Sequence, residues 1–246
     1  MGLFDFFRKT DGPGQGKVDR EIARLERLVS NKLSQNFDRQ DALEQLGRIA
    51  TAEAAAVLLK RFNWHLDPSI TDQDEKEVAV RGIVAAGAAA LEPIREYCRR
   101  AEGLTWPLKA LSQIVDREGY VDELLTLLDQ FDTEYVRNPE PKVQLLHALE
   151  DFPREDVRLA VEQFVEDASE PVRFAAVNAA FAMTCEESIE VFVLALVREE
   201  SLRIKNRIAQ GIVEAAWQVP DSLRDACRSH LPPEYALGSD GFLRRA

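Results

Sequence analysis

The stretch that decides the fold is SEPVRFAAVNAAFAMTCEESIEVFVLALV, residues 169–197. It contains two helical patterns joined by the polar corner TCEES, residues 184–188. Small and apolar residues recur in both at spacings of three and four, and further apolar residues lie on the opposite side of each helix. A helix that is apolar on most of its surface has to be buried on more than one side. The pattern therefore predicts a helix pair flanked by further helices, as in a stacked helical array.

The second of these helices carries more apolar surface than stacking alone would bury. Val191 and Leu194 lie opposite the stripe that contains Ile189, Phe192 and Leu196. We expect cover for them from one of two sources. One is the C-terminal tail, with Tyr235, Leu237 and Phe242, and the other is a partner protein.

Composition indicates a globular protein and argues against nucleic-acid binding. The chain has 246 residues, 46% of them hydrophobic and 30% charged, which is enough to bury a sizeable core. Its formal net charge is −12. Affinity for nucleic acid rests mainly on neutralising phosphates with Lys and Arg. No DNA or RNA partner is therefore predicted.

Cysteine usage and hydropathy favour a cytoplasmic protein. The three cysteines, Cys98, Cys185 and Cys227, are widely spaced and form neither a disulfide framework nor a zinc motif. We expect reduced thiols, as in the cytoplasm. No apolar run approaches the ~20 residues that span a membrane.

Helix-start residues and apolar periodicity predict an all-α fold of helix pairs. An amphipathic helix over 18–35 precedes the pairs, and Ser, Thr, Asn, Asp or Pro stands at each later helix start. The polar stretch 67–77, DPSITDQDEKE, is predicted as an insertion before a helix at 74–87. The remaining helices are predicted at 39–50, 51–64, 90–101, 105–116, 119–131, 139–150, 153–167, 200–217 and 220–230, with two more inside 169–197.

The first helix of each pair carries a recurring triplet. It consists of a small or apolar residue, a large apolar residue directly after it, and another apolar residue three further on. The triplets are Ala42-Leu43-Leu46, Gly82-Ile83-Ala86, Ala110-Leu111-Ile114, Leu145-Leu146-Leu149, Ala176-Val177-Ala180 and Gly211-Ile212-Ala215. The small residue lets neighbouring helices approach closely, and the large one fills the space between layers. The irregular spacing between triplets is typical of repeats that tolerate variable length.

Two segments, ALEQLGRIATAEAAAVLLKRF (42–62) and VRGIVAAGAAALEPIREYC (80–98), resemble the HEAT-repeat superfamily, in particular the divergent HEAT-like repeats of bacterial proteins. The resemblance implies a right-handed α-solenoid of about six helix pairs over 18–230. The helix near 18–35 would be its N-terminal cap and residues 231–246 its C-terminal capping tail. The Val-Arg doublets usual in the family occur at Val80-Arg81 and Val172-Arg173. They do not keep one register against the triplets, so we predict no ladder role for them.

Residues 1–17 are predicted to be a flexible apolar and basic segment that ends in a Gly/Pro linker. Its apolar patch is a candidate tether, followed by two basic residues. Two interpretations stay open. The patch folds back over an end of the core, or it docks in a partner groove or makes weak contact with a membrane surface through residues 1–9. The patch consists of Leu3, Phe4, Phe6 and Phe7.

The sequence contains no recognisable catalytic, cofactor or metal motif. His65, His147 and His230 have no second ligand at metal-binding spacing. Trp64, Trp106 and Trp217 are expected to fill gaps between repeats. The basic residues 203, 205 and 207 alternate along one helix and so cannot form one phosphate track. We therefore expect no cofactor, no metal and no catalysis.

The candidate partner surface is an acidic groove along the second helices of successive pairs. Such a groove would attract a basic segment of a partner protein. This predicts a non-catalytic scaffold or adaptor. The resemblance leaves one alternative open, a HEAT-like enzyme or nucleic-acid binder similar to the alkylpurine DNA glycosylases or the bilin lyases. The candidate residues are Asp122, Glu123, Glu162, Glu166, Glu190, Val191 and Leu194.

Overall fold

The computed structural model describes residues 15–246, and these are helical apart from one small antiparallel sheet, which confirms the all-α class. Short 3-10 helices adjoin several of the α-helices at their ends. The α-helices are α1 (Gln15–Val29), α2 (Asn36–Ile49), α3 (Ala52–Leu59), α4 (Ser69–Ala85), α5 (Leu91–Cys98), α6 (Thr105–Ile114), α7 (Arg117–Leu128), α8 (Glu140–Leu149), α9 (Glu155–Glu162), α10 (Glu170–Ala182), α11 (Ile189–Arg198), α12 (Leu202–Ala215) and α13 (Arg224–His230). The strands are β1 (Tyr235–Leu237) and β2 (Leu243–Arg245).

The chain forms two compact units. The first extends to Ala101 and includes Thr105–Asp116, and the second comprises Glu102–Leu104 with Arg117–Ala246. In the first unit, α2, α4 and α6 pack side by side, while α1, α3 and α5 lie beside one another in a second layer. The helix pairs are therefore arranged in two layers within this unit.

The start of α1 lies at Gln15, so the last residues of the predicted linker are helical. The helix ends at Val29 rather than near Gln35, and Leu33 beyond it is almost fully exposed instead of belonging to the buried stripe. Ile22, Leu25 and Val29 form the buried face of α1. The predicted tether at Leu3–Phe7 lies outside the described residues.

Two glycines set the closest helix contact in the first unit. A Cβ on Gly82 would lie 2.7 Å from Leu58 Cδ1 and 3.0 Å from the Cα of Gly47. Because backbone faces backbone here, α2 and α4 approach more closely than any side chain would allow. Gly82 is the small residue of one of the triplets, and it allows the close approach of two helices that was predicted for that position.

The polar stretch 67–77 is not an insertion, because α4 begins at Ser69 and includes most of it. Its charged side chains are buried in an ion-pair network. Arg61 donates from Nε to Glu75 (2.7 Å) and from Nη2 to Asp72 (2.7 Å). Arg39 donates to Glu75 (2.8 Å) and Lys76 to Asp72 (2.7 Å). The helix therefore starts early because cations from neighbouring elements neutralise its acidic first turns.

In the second unit, α8, α10 and α12 pack side by side, and α7, α9, α11 and α13 lie in the other layer. Between the layers the rings of Phe181 and Phe192 are stacked with centroids 3.9 Å apart, and Trp217 stacks on Phe181 at 5.5 Å. Such a stack of three rings buries a large apolar area in one place. The core of the stretch 169–197 lies at this stack.

Buried cation–carboxylate pairs connect successive helix pairs in the second unit. Lys142 on α8 donates to Asp167 (2.7 Å), and Arg173 on α10 donates to Glu199 (2.7 Å). Asp167 and Glu199 also accept backbone N–H groups at the starts of α10 and α12. Of the two Val-Arg doublets, Arg173 thus takes part in an ion pair between successive helix pairs, whereas Arg81 is exposed.

The C-terminal tail forms a β-hairpin that the sequence analysis did not predict. Leu237 pairs with Leu243, and the N–H of Val219 donates to the carbonyl of Gly241 (2.8 Å). The strands pack on α12 and α13. Each strand has only three residues, too few for an alternating pattern to be recognised.

The apolar surface of α11 is only partly covered. Phe192, Val193 and Leu196 are buried, but Val191 is half-buried and Leu194 keeps 41% of its surface exposed. The hairpin packs against α12 and α13 instead. The C-terminal tail therefore does not cover Leu194, contrary to the first of the two expectations for this side chain.

Candidate partner-binding surface

The candidate surface comprises the outward faces of α7, α9 and α11, all within the second unit. On α9 and the 3-10 helix that continues it (Gln163–Glu166), Asp156, Leu159, Gln163 and Glu166 form one exposed stripe at helical spacing. On α11, Glu190, Leu194 and Arg198 form the corresponding stripe. These stripes place apolar and charged side chains next to one another on adjacent helices.

Arg154, just before α9, organises the boundary between α7 and α9. Its guanidinium donates to Asp122 (2.9 Å), Glu118 (3.1 Å) and Asp156 (2.6 Å). The hydrogen bonds to Asp156 and Asp122 raise the pKa of Arg154, and that from Arg154 lowers the pKa of Asp156. Asp122 therefore lies on the surface as predicted, but its charge is shared with an arginine.

At the boundary between α9 and α11, a second arginine, Arg158, lies 3.6 Å from Glu187 in the corner before α11. Arg158 donates to Glu155 (2.9 Å) and Glu162 (2.9 Å), and its pKa is raised, chiefly by the hydrogen bond to Glu155. Glu162 also accepts from the hydroxyl of Ser188 at the start of α11. Its side chain is only 10% exposed, so Glu162 serves helix packing rather than offering a free carboxylate.

The acidic groove is therefore smaller than predicted. Glu123 is buried, with 9% of its surface exposed, and Glu166 forms an ion pair with Arg198. Glu190 is exposed. Carboxylates nevertheless outnumber the arginines Arg154, Arg158 and Arg198 on this face. The carboxylates on this face are those of Glu118, Asp122, Glu155, Asp156, Glu162, Glu166, Glu187 and Glu190.

The apolar part of the surface extends beyond the residues that the sequence indicated. Leu159 on α9 is 51% exposed and Leu194 on α11 is 41% exposed. Beside α7 a cleft of about 350 Å³ has a mixed lining, with the apolar Leu125 and Phe164 and the polar Thr126, Asp129 and Gln163. Solitary exposed leucines are common, whereas exposed leucines on adjacent helices are typical of interaction sites.

Leu159 and the three arginines are the residues that sequence reasoning missed. Leu159 follows Arg158 in a helix whose apolar stripe is Val157, Val161 and Phe164, so it stands out of register with the core. This offset from the apolar stripe could have been recognised from the sequence alone. Arg154 and Arg198 pair with carboxylates 32 residues away through the packing of successive helices, which left no local signal. Arg158 pairs with Glu155 and Glu162, three and four residues away, so this contact could have been recognised from helical spacing.

Elsewhere, the histidines make isolated contacts. His147 lies 2.7 Å from Glu150, and His230 lies 2.8 Å from the carbonyl of Ala226. His65 is exposed, beside Asp72 and Lys76. Across residues 15–246, no group of three or more His, Cys, Asp or Glu side chains is arranged to hold a metal ion.

The three cysteines are free thiols. Burial raises the pKa of Cys98 to about 12 and that of Cys227 to about 11, so neither is an activated nucleophile. Cys185 is partly exposed, in the corner between α10 and α11.

The tryptophans lie in packing positions. Trp106 stacks on Phe62, and Trp217 stacks on Phe181. Trp64 packs under the guanidinium of Arg61, which lies 3.9 Å from the ring centroid. All three tryptophan rings therefore pack against other side chains of the protein.

In residues 15–246, no helix is both long and apolar enough to cross a membrane.

Comparisons with known proteins leave the family open. No protein-family model matches the chain, and no curated protein matches it. A solved structure described as "Computational Design of Self-Assembling Cyclic Protein Homooligomers" is similar at 13% identity with a TM-score of 0.16. The match covers 88% of this chain and 77% of that chain. A TM-score of this size carries no inference about fold or function.

Proposed function

We propose that the protein is a non-catalytic scaffold or adaptor that binds a partner protein through the α7–α9–α11 surface. We further infer that its helix pairs belong to a right-handed α-solenoid of about six HEAT-like repeats. In this arrangement α1 is the N-terminal cap and residues 231–246 are the C-terminal cap. Support for the solenoid comes from the two-layer packing inside each unit.

The observation that carries the binding proposal is the exposure of Leu159 and Leu194 on adjacent helices of this surface. A monomer gains nothing from leaving such side chains in water, whereas an interface buries them in its centre. The charged rim around them is already organised by Arg154, Arg158 and Arg198. A pre-organised rim lowers the cost of ordering side chains on binding.

The excess of carboxylates on the same face indicates the chemistry of the partner. A segment with apolar side chains flanked by Lys or Arg would bury its apolar residues on Leu159 and Leu194 and place its cations among the carboxylates. A cytoplasmic location goes with this proposal, supported by three widely spaced free thiols.

The proposal is tested by affinity purification of the full chain followed by mass spectrometry. The variants are Leu159→Asp and Leu194→Asp, and Leu202→Asp is the matched control because Leu202 on α12 is 57% exposed outside this surface. We expect recovery of a shared set of partners to fall by about fivefold or more in the first two variants only, since losing a central apolar contact costs on the order of 1 kcal/mol or more.

Two readouts make the result decisive. Circular dichroism and thermal melting of all three variants should match wild type, because each substituted side chain is exposed. Glu190→Lys should weaken recovery as well, and more strongly at low salt. Equal recovery by wild type, Leu159→Asp and Leu194→Asp would overturn the proposal.

A further inference from the structure

Arg207 is half-buried, and it differs from six other buried or half-buried cations of the fold. Each of those faces at least one carboxylate at ion-pair distance. The pairs are Arg39 with Glu75, Arg61 with Asp72 and Glu75, Lys76 with Asp72, Lys142 with Asp167, Arg158 with Glu162, and Arg173 with Glu199. Arg207 instead donates from Nε to the neutral side-chain oxygen of Asn178 (2.6 Å).

The guanidinium of Arg207 is incompletely satisfied. Its Nη1 is buried and has no hydrogen-bond partner among residues 15–246. Burial lowers the pKa of Arg207, against the opposing influence of Glu214 and Glu150, whereas the pKa of the carboxylate-paired Arg173 is raised. A desolvated donor without a partner is costly, and a ligand that completes it gains that free energy.

The guanidinium borders a cleft of about 490 Å³ on the layer of α8, α10 and α12, away from the α7–α9–α11 surface. Its walls come from all three helices, with His147 on α8, Glu150 directly after α8, Asn178 on α10, and Glu214 on α12. A volume of this order admits a small organic molecule or one side chain of a peptide.

The floor of the cleft is rigid. The Arg207 guanidinium lies 4.9 Å from the centroid of the Phe181 ring, which is itself stacked on Phe192 and Trp217. Gly211 allows this arrangement, because a Cβ there would lie 2.5 Å from the Phe181 ring. The Phe181 ring is therefore held in place before any ligand arrives, which reduces the entropic cost of binding.

We propose that this cleft is a binding site for a single carboxylate group, held by Arg207 with the rest of the ligand against Phe181. A planar carboxylate matches the fork of donors on a guanidinium. Binding in this way requires the Arg207 side chain to turn, because Nη1 is buried in the ligand-free structure. Glu150 and Glu214 would repel a ligand with several negative charges. They favour a ligand that carries a positive charge beside its carboxylate.

Two sources supply this chemistry, a free amino acid and an acidic side chain of a peptide. The experiment uses the full-length ¹⁵N-labelled protein and follows the Nε–H resonance of Arg207 by NMR. The probes are sodium acetate, L-phenylalanine, and a blocked tripeptide whose only charge is a central glutamate. Sodium chloride at equal ionic strength corrects for screening. L-phenylalanine binding more tightly than acetate identifies the amino acid as the source, and the reverse order with a tight tripeptide identifies the peptide side chain.

Arg207→Gln removes the guanidinium, and Arg203→Gln is the matched control. Arg203 is also on α12 and also stacks on a ring, at 3.5 Å from Phe174, but it is exposed and pairs with Glu170. Binding in the variants is followed through backbone amide shifts of the cleft. We expect saturable binding in wild type and Arg203→Gln, and an affinity at least about tenfold weaker in Arg207→Gln, since a charge-assisted hydrogen bond contributes 1.4 kcal/mol or more.

Arg207→Lys keeps the charge and covers the case in which the glutamine variant fails to fold. It should bind more weakly than wild type because an ammonium cannot form the two-pronged contact. Arg207→Gln should melt at or above the wild-type temperature, as expected when an unpaired buried charge is removed. No saturable shift with any of the three probes, or equal affinity in wild type and both Arg207 variants, would overturn the proposal.

Discussion

Asp72 is the residue whose ionisation matters most to the first compact unit. Burial on its own would raise the pKa of this carboxyl, but hydrogen bonds from Lys76 and Arg61 and from the N–H of Leu66 outweigh burial and lower the pKa to about 2. The carboxylate thus pairs with two buried cations, and Lys76, unlike Arg61, has no second carboxylate at ion-pair distance within residues 15–246. Removing one partner of such a group leaves a charge uncompensated, which destabilises strongly.

The pH dependence of this group follows from the direction of the shift. The folded pKa of about 2 lies below the unfolded value of about 3.9, so ionised Asp72 stabilises the folded state above pH ~4 and this contribution is lost as pH falls towards 2. We expect Asp72→Asn to lower the free energy of unfolding at pH 7 by on the order of 2 kcal/mol or more. The difference from wild type should shrink steadily below pH 4.

Urea denaturation of both proteins at pH 7, 4 and 3 measures the difference. Asp225→Asn is the control, because Asp225 pairs with Arg228 while its side chain stays fully exposed, and it should match wild type at every pH. A gap between wild type and Asp72→Asn that is constant from pH 7 to pH 3 would refute the assignment.

At the scale of elements, sequence periodicity identified the helices better than their ends or their charged contacts. The helix pair α10–α11 was readable because its apolar residues repeat locally. The start of α4 at Ser69 was not, because its acidic turn is stabilised by Arg61 and Arg39 from elsewhere in the chain. For the surface, Asp122, Glu190 and Leu194 are exposed where the pattern placed them. Glu123 is buried by packing between helices, which a single-helix pattern does not contain.

The contact between α2 and α4 gives an element-scale prediction. Gly82→Ala should lower the free energy of unfolding by about 1–3 kcal/mol, because the added methyl meets Leu58 at 2.7 Å and the Gly47 backbone at 3.0 Å. The backbone cannot yield without moving the whole helix. The higher helix propensity of Ala offsets only part of this cost.

Gly103→Ala is the comparison variant, since a Cβ there would meet its nearest neighbour, Gln144, only at 3.8 Å. Urea denaturation should place Gly103→Ala near wild type and Gly82→Ala clearly below it. If the two variants are equally stable, the close approach of α2 and α4 is not as tight as these distances state.

At the scale of the whole molecule, charge decides which class of macromolecule the chain can bind. The chain has 43 Asp and Glu against 31 Lys and Arg, and many of the arginines in residues 15–246 are engaged with carboxylates. Binding to nucleic acid needs cations that are free to replace the counterions of phosphates. On the layer of α8, α10 and α12, Arg203 and Arg207 are stacked on different rings, Phe174 and Phe181, rather than aligned along one track.

We therefore predict that the full chain does not shift a 30-base-pair duplex or a single-stranded oligonucleotide of the same length in a gel, even at ~20 mM salt and micromolar protein. Low salt is the demanding condition, because electrostatic affinity for phosphates is greatest there. A double reversal to lysine at Glu150 and Glu214, beside Arg207, serves as the positive control. Each of the two changes replaces a negative charge with a positive one, so the variant is more positive than wild type by four charges on one face. It should therefore show weak, salt-sensitive binding. A shift by the wild-type chain that weakens with a slope of several phosphates per log unit of salt would contradict the prediction and favour a nucleic-acid-binding role over the protein scaffold.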